Sequence, residues 1–186
     1  HYPADHANGV PQRLRRLEVS EIALPDVEED SPLRQEILSL AEEQGCRVRF
    51  IRSDTTYTLG EGQTITLLPP LGQGTDTNEL GLTLLASAGE FDALIRGDMG
   101  GEVEQLLLSH ADLPDAELLV VGHHGSAAST TQELLDALRP EVAVISVGLD
   151  NRYGHPASDT LLRLTEAGAE LYRTDLQGTV TVRAGG

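Results

Sequence analysis

Three features of the 186-residue chain predict an α/β fold of mixed sheets faced by helices. Its first half carries two hairpin patterns, TLGEGQTITLL around Gly60-Glu61-Gly62 and LGLTLLAS turning through AGEF into DALIR. Its second half alternates short apolar strands, ELLVV and VAVISV, with helical periods. No repeat or low-complexity linker interrupts the chain, and a hydrophobic fraction of 39 % suits one domain with a sizeable core. We therefore read residues 1–186 as a single domain.

After HYPADHANGV, the alternation in VSEIAL predicts a strand that runs into an acidic loop. Ser31-Pro32 opens a helix as N-cap and first-turn proline, with Leu33, Ile37, Leu40 and Ala41 on one face and Gly45 as its stop. CRVRFI is a strand, and the two hairpins follow. GEVEQLLLS is a short helix, and TTQELLDAL is a helix with Thr130 and Glu133 as its capping box. SDTLLRLTEAG is a helix capped by Ser158 and ended by Gly168, after which ELYRT and GTVTV predict a last hairpin. The chain opens inside a loop, so further strands are expected before His1 in a longer parent.

Composition narrows the function. Thirteen Lys and Arg against thirty Asp and Glu give a net charge of −17, which excludes broad nucleic-acid binding through a basic surface. A nucleic-acid substrate met at a metal stays open. No apolar stretch approaches the roughly 20 residues of a membrane-spanning helix, and the start has no signal pattern. The expectation is a soluble segment without membrane contact of its own, either an extracytoplasmic domain of a bacterial membrane protein or a free hydrolase. One cysteine, Cys46, permits neither an internal disulfide nor a CxxC zinc site, so a metal must be held by His and carboxylate. Cys46 itself belongs in the core.

Four polar clusters carry chemistry: His1 to His6, GDM at 97–99, GHHGS at 122–126 and NRYGHP at 151–156. Five of the six histidines fall in them, and only His110 lies elsewhere. Loops at the carboxyl ends of adjacent strands converge in space. Asp98 follows the strand DALIR and a glycine, so its carboxylate can point out of the sheet end or cap the next helix. His123 and His124 follow ELLVV; on an extended backbone they point to opposite sides, so at most one is expected to be a ligand. His155 is either a turn residue or a proton donor and phosphate-oxygen partner, with Asn151 and Tyr153 just upstream. Ser126 is either a turn residue or a donor to substrate. Neutral imidazole and carboxylate together bind Zn²⁺ or Mn²⁺, which lowers the pKa of bound water towards about 7 and suits hydrolysis of esters, amides or phosphodiesters.

HYPADHANG resembles the HxHxDHxxG loop of the metallo-β-lactamase fold, and GDM resembles its bridging-aspartate motif. The ordered series from Asn78 through GDM, VGHHGS, RPEVAVISVG and NRYGHP to LLRLTEAGAELYRTDLQGTVTV resembles, more narrowly, the metallo-β-lactamase-like domain of the ComEC family of DNA-uptake channel proteins. The resemblance runs from residue 1 to the end and is densest from Asp98 onward. It implies a four-layer αββα sandwich lacking its N-terminal strands and metal-dependent hydrolysis of the DNA strand that is not taken up. It also implies one metal on Asp5, His6 and His124, with Asp98 bridging to a second near His1. Asp5 and His155 are then the candidate catalytic residues, and His123, Ser126, Asn151 and Tyr153 the candidate substrate contacts. Between the paired histidines His124 is favoured as ligand for its place beside the glycine turn, although spacing leaves the choice open.

Three departures from the family pattern shape the expectation. Pro3 stands where the family carries His or Asp, residues 7–97 contain no histidine, and Arg96 replaces a small or hydroxyl residue. Asp5, His6, Asp98 and His124 suffice for one four-ligand site. His1 and Asp98, with water or an oxygen from the Asn78 region, make a thin second one. We expect one strong and one weak site for Zn²⁺ or Mn²⁺, and a phosphodiesterase or nuclease acting on single-stranded DNA, attached to a membrane channel in a longer protein. A stand-alone hydrolase of a small phosphoester and a catalytically silent structural domain that lost a ligand at Pro3 are the alternatives. β-Lactam hydrolysis has little support beyond the metal loop.

Overall fold

The chain begins in a small unit built around two parallel strands. The computed structural model describes residue 2, residues 4–73 and residues 76–184; His1, Pro3, Gly74, Thr75, Gly185, Gly186 and the side chains of Ala4 and Asp5 lie outside the described set. A single helical turn, α1 (Ala4–Ala7), leads into α2 (Val10–Arg16). The sequence pattern did not indicate α2: only Pro11 and Leu14 of its seven residues are buried, too few to show a period. Strand β1 (Glu21–Pro25), helix α3 (Pro32–Glu43) and strand β2 (Arg47–Ile51) form a βαβ unit in which β1 and β2 pair in parallel, Ile22 against Val48 and Leu24 against Phe50. Helix α3 starts where expected, with the Ser31 hydroxyl accepting from Arg34 N. Ile37, Leu40 and Ala41 turn inward to meet Leu14, Leu24, Tyr2 and the buried Cys46.

The rest of the chain makes a seven-stranded mixed sheet in sequential order. Strands β3 (Thr55–Gly60), β4 (Gln63–Leu68), β5 (Thr83–Ala88) and β6 (Phe91–Ile95) pair antiparallel through the two expected hairpins. Direction then changes. Helix α4 (Gly101–His110) crosses to β7 (Leu118–Val120), α5 (Gln132–Leu138) to β8 (Val142–Ile145) and α6 (Ser158–Glu166) to β9 (Glu170–Arg173), and β6 to β9 are parallel. Leu107 of α4, Leu134, Leu135 and Leu138 of α5 and Leu164 of α6 pack with Leu94, Leu119, Ala143 and Ile145 of the strands in one buried cluster.

Three local expectations need correction. Thr131, not Thr130, caps α5, because the Glu104 carboxylate accepts from Thr130 N and Thr131 N and holds Thr130 at φ 57° outside the helix. Ser158 is the first residue inside α6, and Ala157 takes the cap position, its N–H donating to Gly125 O. The last hairpin does not form among the described residues. After β9 the chain coils into α7 (Thr174–Gln177), where the Thr174 hydroxyl bonds both the carbonyl and the N–H of Val147. A helical turn anchored in this way carries GTVTV away from pairing with β9.

Two clefts flank this framework. One of about 390 Å³ lies between the βαβ unit and the sheet, lined by Leu24 and Ile37 on one side and Leu67, Leu84 and Ile95 on the other, with His6 and Gly97 also on its wall. The larger, about 790 Å³, lies at the opposite end of the parallel strands among Glu61, Glu90, Glu117 and Glu141 and has no histidine in its lining. Among the described residues no helix is long and apolar enough to cross a membrane. Because Leu135 is 1 % exposed at the centre of the main cluster, Leu135→Ala is expected to lower unfolding free energy by about 2–5 kcal/mol in urea titration. A loss below about 1 kcal/mol would mean that α5 is not an integral part of that core.

Candidate metal centre

The parallel ladder places the polar clusters side by side. Ile95 pairs with Val120, and Val120 with Val144, so three strands end in register. Asp98 lies three residues beyond Ile95, and His123 the same distance beyond Val120. One further hydrogen bond, His123 N to Gly97 O at 3.1 Å, carries the pairing past the ladder. The loop bearing His155 follows β8, the next strand along. His6 arrives from the other side, on α1, behind Tyr2, which is buried in the small cluster.

His6, Asp98 and His124 meet there as a possible metal-binding triad, with one ligand atom of each within 4.8 Å of the others. His6 Nε2 is 3.0 Å and His124 Nε2 3.7 Å from Asp98 Oδ1. The His124 Nδ1–H donates to the Ser146 carbonyl at 2.7 Å, which fixes the tautomer and leaves Nε2 to face the carboxylate as a lone-pair donor. Two imidazole nitrogens and a buried carboxylate oxygen aimed at one point fit a divalent cation of borderline softness. Asp98 does not cap α4; Gly100 occupies that position. Burial pushes the Asp98 carboxyl up, but the contact with His6 and the charges of His6, His124 and His123 outweigh it and hold the group below its ordinary value.

The remaining candidates divide between a second group and the scaffold. His1 and Pro3 lie outside the described residues, as does the Asp5 side chain, although the Asp5 backbone is part of α1. His123 turns from the triad to His155, their ring centroids 5.7 Å apart, and Tyr153 stacks on His155 at 6.0 Å. Burial lowers the His155 pKa, and the charges of His123 and His124 lower it further against the pull of Asp98. The Asn151 amide donates to His155 O and its oxygen accepts from His155 N, bracing the loop. Ser126 is buried, its hydroxyl accepting from Ala128 N. Asn78 sits in a short 3-10 turn, Thr77–Leu80, capped by Asp76.

Local backbone geometry explains how neighbouring histidines serve two directions. They are not extended, as the sequence suggested; both are left-handed, His123 at φ 50° and His124 at φ 53°. Such conformations cost about 1–3 kcal/mol each for residues other than glycine and persist only where the surroundings enforce them. Here the flanking glycines are the enforcing parts. A Cβ at Gly122 would collide with the Arg96 guanidinium, and one at Gly125 would lie 2.6 Å from Pro156.

Sequence reasoning missed the buried support beneath the loops. Arg96 Nη2 donates to Glu104 at 2.6 Å, with both side chains at 1 % exposure or less. Glu104 also accepts from Thr130 N, Thr131 N and the Thr131 hydroxyl. The Arg96 guanidinium is thus engaged by α4. A Glu within a helical period gives no such signal, because the pattern GEVEQLLL reads as an exposed face.

The chain is similar to proteins of bacterial competence. It is 29 % identical over 183 residues to ComE operon protein 3 of Bacillus subtilis (strain 168), covering 98 % of this chain and 24 % of that protein. Competence protein ComA of Neisseria gonorrhoeae is 35 % identical over 115 residues, 61 % of this chain and 17 % of that one. Recombination protein 2 of Haemophilus influenzae is 33 % identical over 105 residues, 56 % of this chain and 13 % of that one. No family model matches the chain. The chain spans a quarter or less of the length of these relatives.

The buried pair and the triad generate separate expectations. Glu104→Gln leaves the Arg96 charge unpaired and is expected to cost about 3–5 kcal/mol, whereas Arg15→Ala removes an exposed pair of the same 2.6 Å length and costs less than about 1 kcal/mol. Equal losses in urea unfolding would contradict this reading of burial. Mn²⁺ or Zn²⁺ at 100 times its dissociation constant is expected to add about 2.7 kcal/mol, a rise in Tm of roughly 5–10 °C. Asp98→Ala should abolish that rise; an equal rise in the variant would place the cation elsewhere.

Proposed function

We propose that the chain is a metal-dependent phosphodiesterase, the nuclease part of a DNA-uptake system, on a four-layer αββα framework of the metallo-β-lactamase kind. The observation that carries the reading is the convergence of His6, Asp98 and His124 at the end of the parallel ladder. The competence names of the similar proteins support the DNA-uptake context. A βαβ unit with its own apolar cluster, beside a seven-stranded mixed sheet on which α4–α6 pack, supports an α/β framework.

In this reading His6 and His124 would hold the cation through ring nitrogen and Asp98 through a carboxylate oxygen; Asp5, the fourth ligand expected from the sequence, has its side chain outside the described residues. A divalent cation there supplies Lewis acidity towards a phosphoryl oxygen and lowers the pKa of water. Ser146 keeps the His124 ring oriented through Nδ1. His155, fixed by the Asn151 clamp, faces the substrate side and offers a ring N–H to a phosphate or leaving-group oxygen. The second cation site near His1 is weak because Pro3 offers no ligand.

Two alternatives rest on specific features. Net charge −17 favours a small phosphoester over a polymer, and Pro3 favours a silent structural domain. Labelled single-stranded DNA incubated with the intact chain and Mn²⁺ should be cut in a chelator-sensitive way. His124→Ala should lower kcat/KM on the order of 100-fold or more. Absence of chelator-sensitive cleavage by the wild type would refute the nuclease reading, and cleavage appearing only in Pro3→His would establish the silent one.

A further inference from the structure

The loop from Gly148 to Pro156 offers something beyond a metal site. Of the six aromatic residues, Tyr2 is buried and Phe50, Tyr57, Phe91 and Tyr172 are half-buried, whereas Tyr153 is 83 % exposed. Its ring lies 18° from parallel with the His155 ring, and His155 meets His123 edge-on. His123 adjoins His124, whose ring lies 5.3 Å from that of His6. The rings form a row leading from the metal triad out to solvent, and Tyr153 is its last member.

The backbone of the loop on either side of that ring is braced. Asn151 closes it through three hydrogen bonds, to Gly148 O, to His155 O and from His155 N, so Tyr153 and Arg152 project from a braced turn. Pro156 is seated on Gly125, which ties the turn to the histidine loop. A tyrosine ring left in water presents an apolar face that a flat ligand can cover, and the braced turn keeps the backbone cost of receiving it low.

We infer that Tyr153 is a stacking platform for an unpaired nucleobase, on a strand that follows the row of rings towards the triad. The inference deepens the phosphodiesterase reading and rests on it for the role of the triad. One face of the tyrosine lies on His155 and the other is open, and every nucleobase has a π face to set on it, so the platform accepts any sequence but requires the base to be unstacked from its neighbours. Arg152, exposed beside it, is a cation for the flanking phosphate on an otherwise acidic chain. The platform therefore selects single strands, or the frayed end of a duplex, over intact duplex.

The test uses the intact chain with Mn²⁺ and a short single strand carrying 2-aminopurine, whose fluorescence falls on stacking. Wild type and Tyr153→Phe are expected to bind and quench it, and Tyr153→Ala to bind roughly tenfold more weakly without quenching. An unchanged thermal midpoint in Tyr153→Ala, expected for so exposed a residue, assigns the loss to stacking. Equal affinity in Tyr153→Ala and wild type, or no strand binding by the wild type, overturns the inference and leaves Tyr153 as a protein contact. Turnover of bis(p-nitrophenyl) phosphate by the wild type is measured in parallel. Turnover without Tyr153-dependent binding defeats the platform and spares the hydrolase, and Tyr153-dependent binding without turnover does the reverse.

Discussion

Beneath the candidate triad, the carboxylate of Glu104 joins three segments at their polar ends. It reaches Arg96 at the end of β6, the N–H groups of Thr130 and Thr131 before α5, and it stands on α4 between them. A charge at 0 % exposure survives only with its lone pairs occupied, and all four contacts are charge-assisted or to backbone donors. Everything above depends on this junction. Gly97 and Asp98 leave the strand directly after Arg96, and the guanidinium lies close enough to Gly122 to exclude a side chain there. The same residue pair thus sets the exit of one loop and the entry of the next.

That junction also accounts for the strained histidines. A turn with two successive left-handed residues would relax in isolation, yet this one is pinned at Gly97 O, at Ser146 O and, through Gly125, against Pro156. The strain does useful positional work: with both residues left-handed, the His123 imidazole turns to His155 and the His124 imidazole to Asp98. An extended pair would also have split the two rings, but along the normal of the sheet rather than across the strand ends. The expectation that a single histidine of the pair joins the triad agrees with the geometry for a different reason from the one that produced it.

Much of the fold was legible because period and punctuation agree in it. Ser31-Pro32 and Gly45 bound α3, Gly60-Glu61-Gly62 turns the first hairpin, and apolar runs ending at Val120 and Ile145 mark buried parallel strands. Legibility failed where a distant group decides a local outcome. The shift of the α5 cap from Thr130 to Thr131 is imposed by Glu104, twenty-seven residues back, and the coil at Thr174 by Val147. Asp98 and His124 were legible as loop residues after strands, and His6 through the likeness of HYPADHANG to a metal loop; the burial of Tyr2 in the small core, behind that loop, was not.

The acidic surface and a polyanionic strand are reconciled by range. At physiological ionic strength, charges separated by more than about 8 Å are largely screened, so net charge −17 governs the approach of a strand more than its bound state. For a strand bound as proposed, the holding contacts would be short-ranged: a cation between His6, Asp98 and His124, and ring faces in contact at Tyr153. Such a binder gains little from counterion release, because few lysines or arginines replace counterions along the backbone. Its salt dependence follows from screened repulsion instead of lost attraction, and moderate salt eases association where it weakens a basic-groove protein. On the proposed reading such a site would engage a short stretch of strand at a time, above loops whose exits the buried Arg96–Glu104 pair joins.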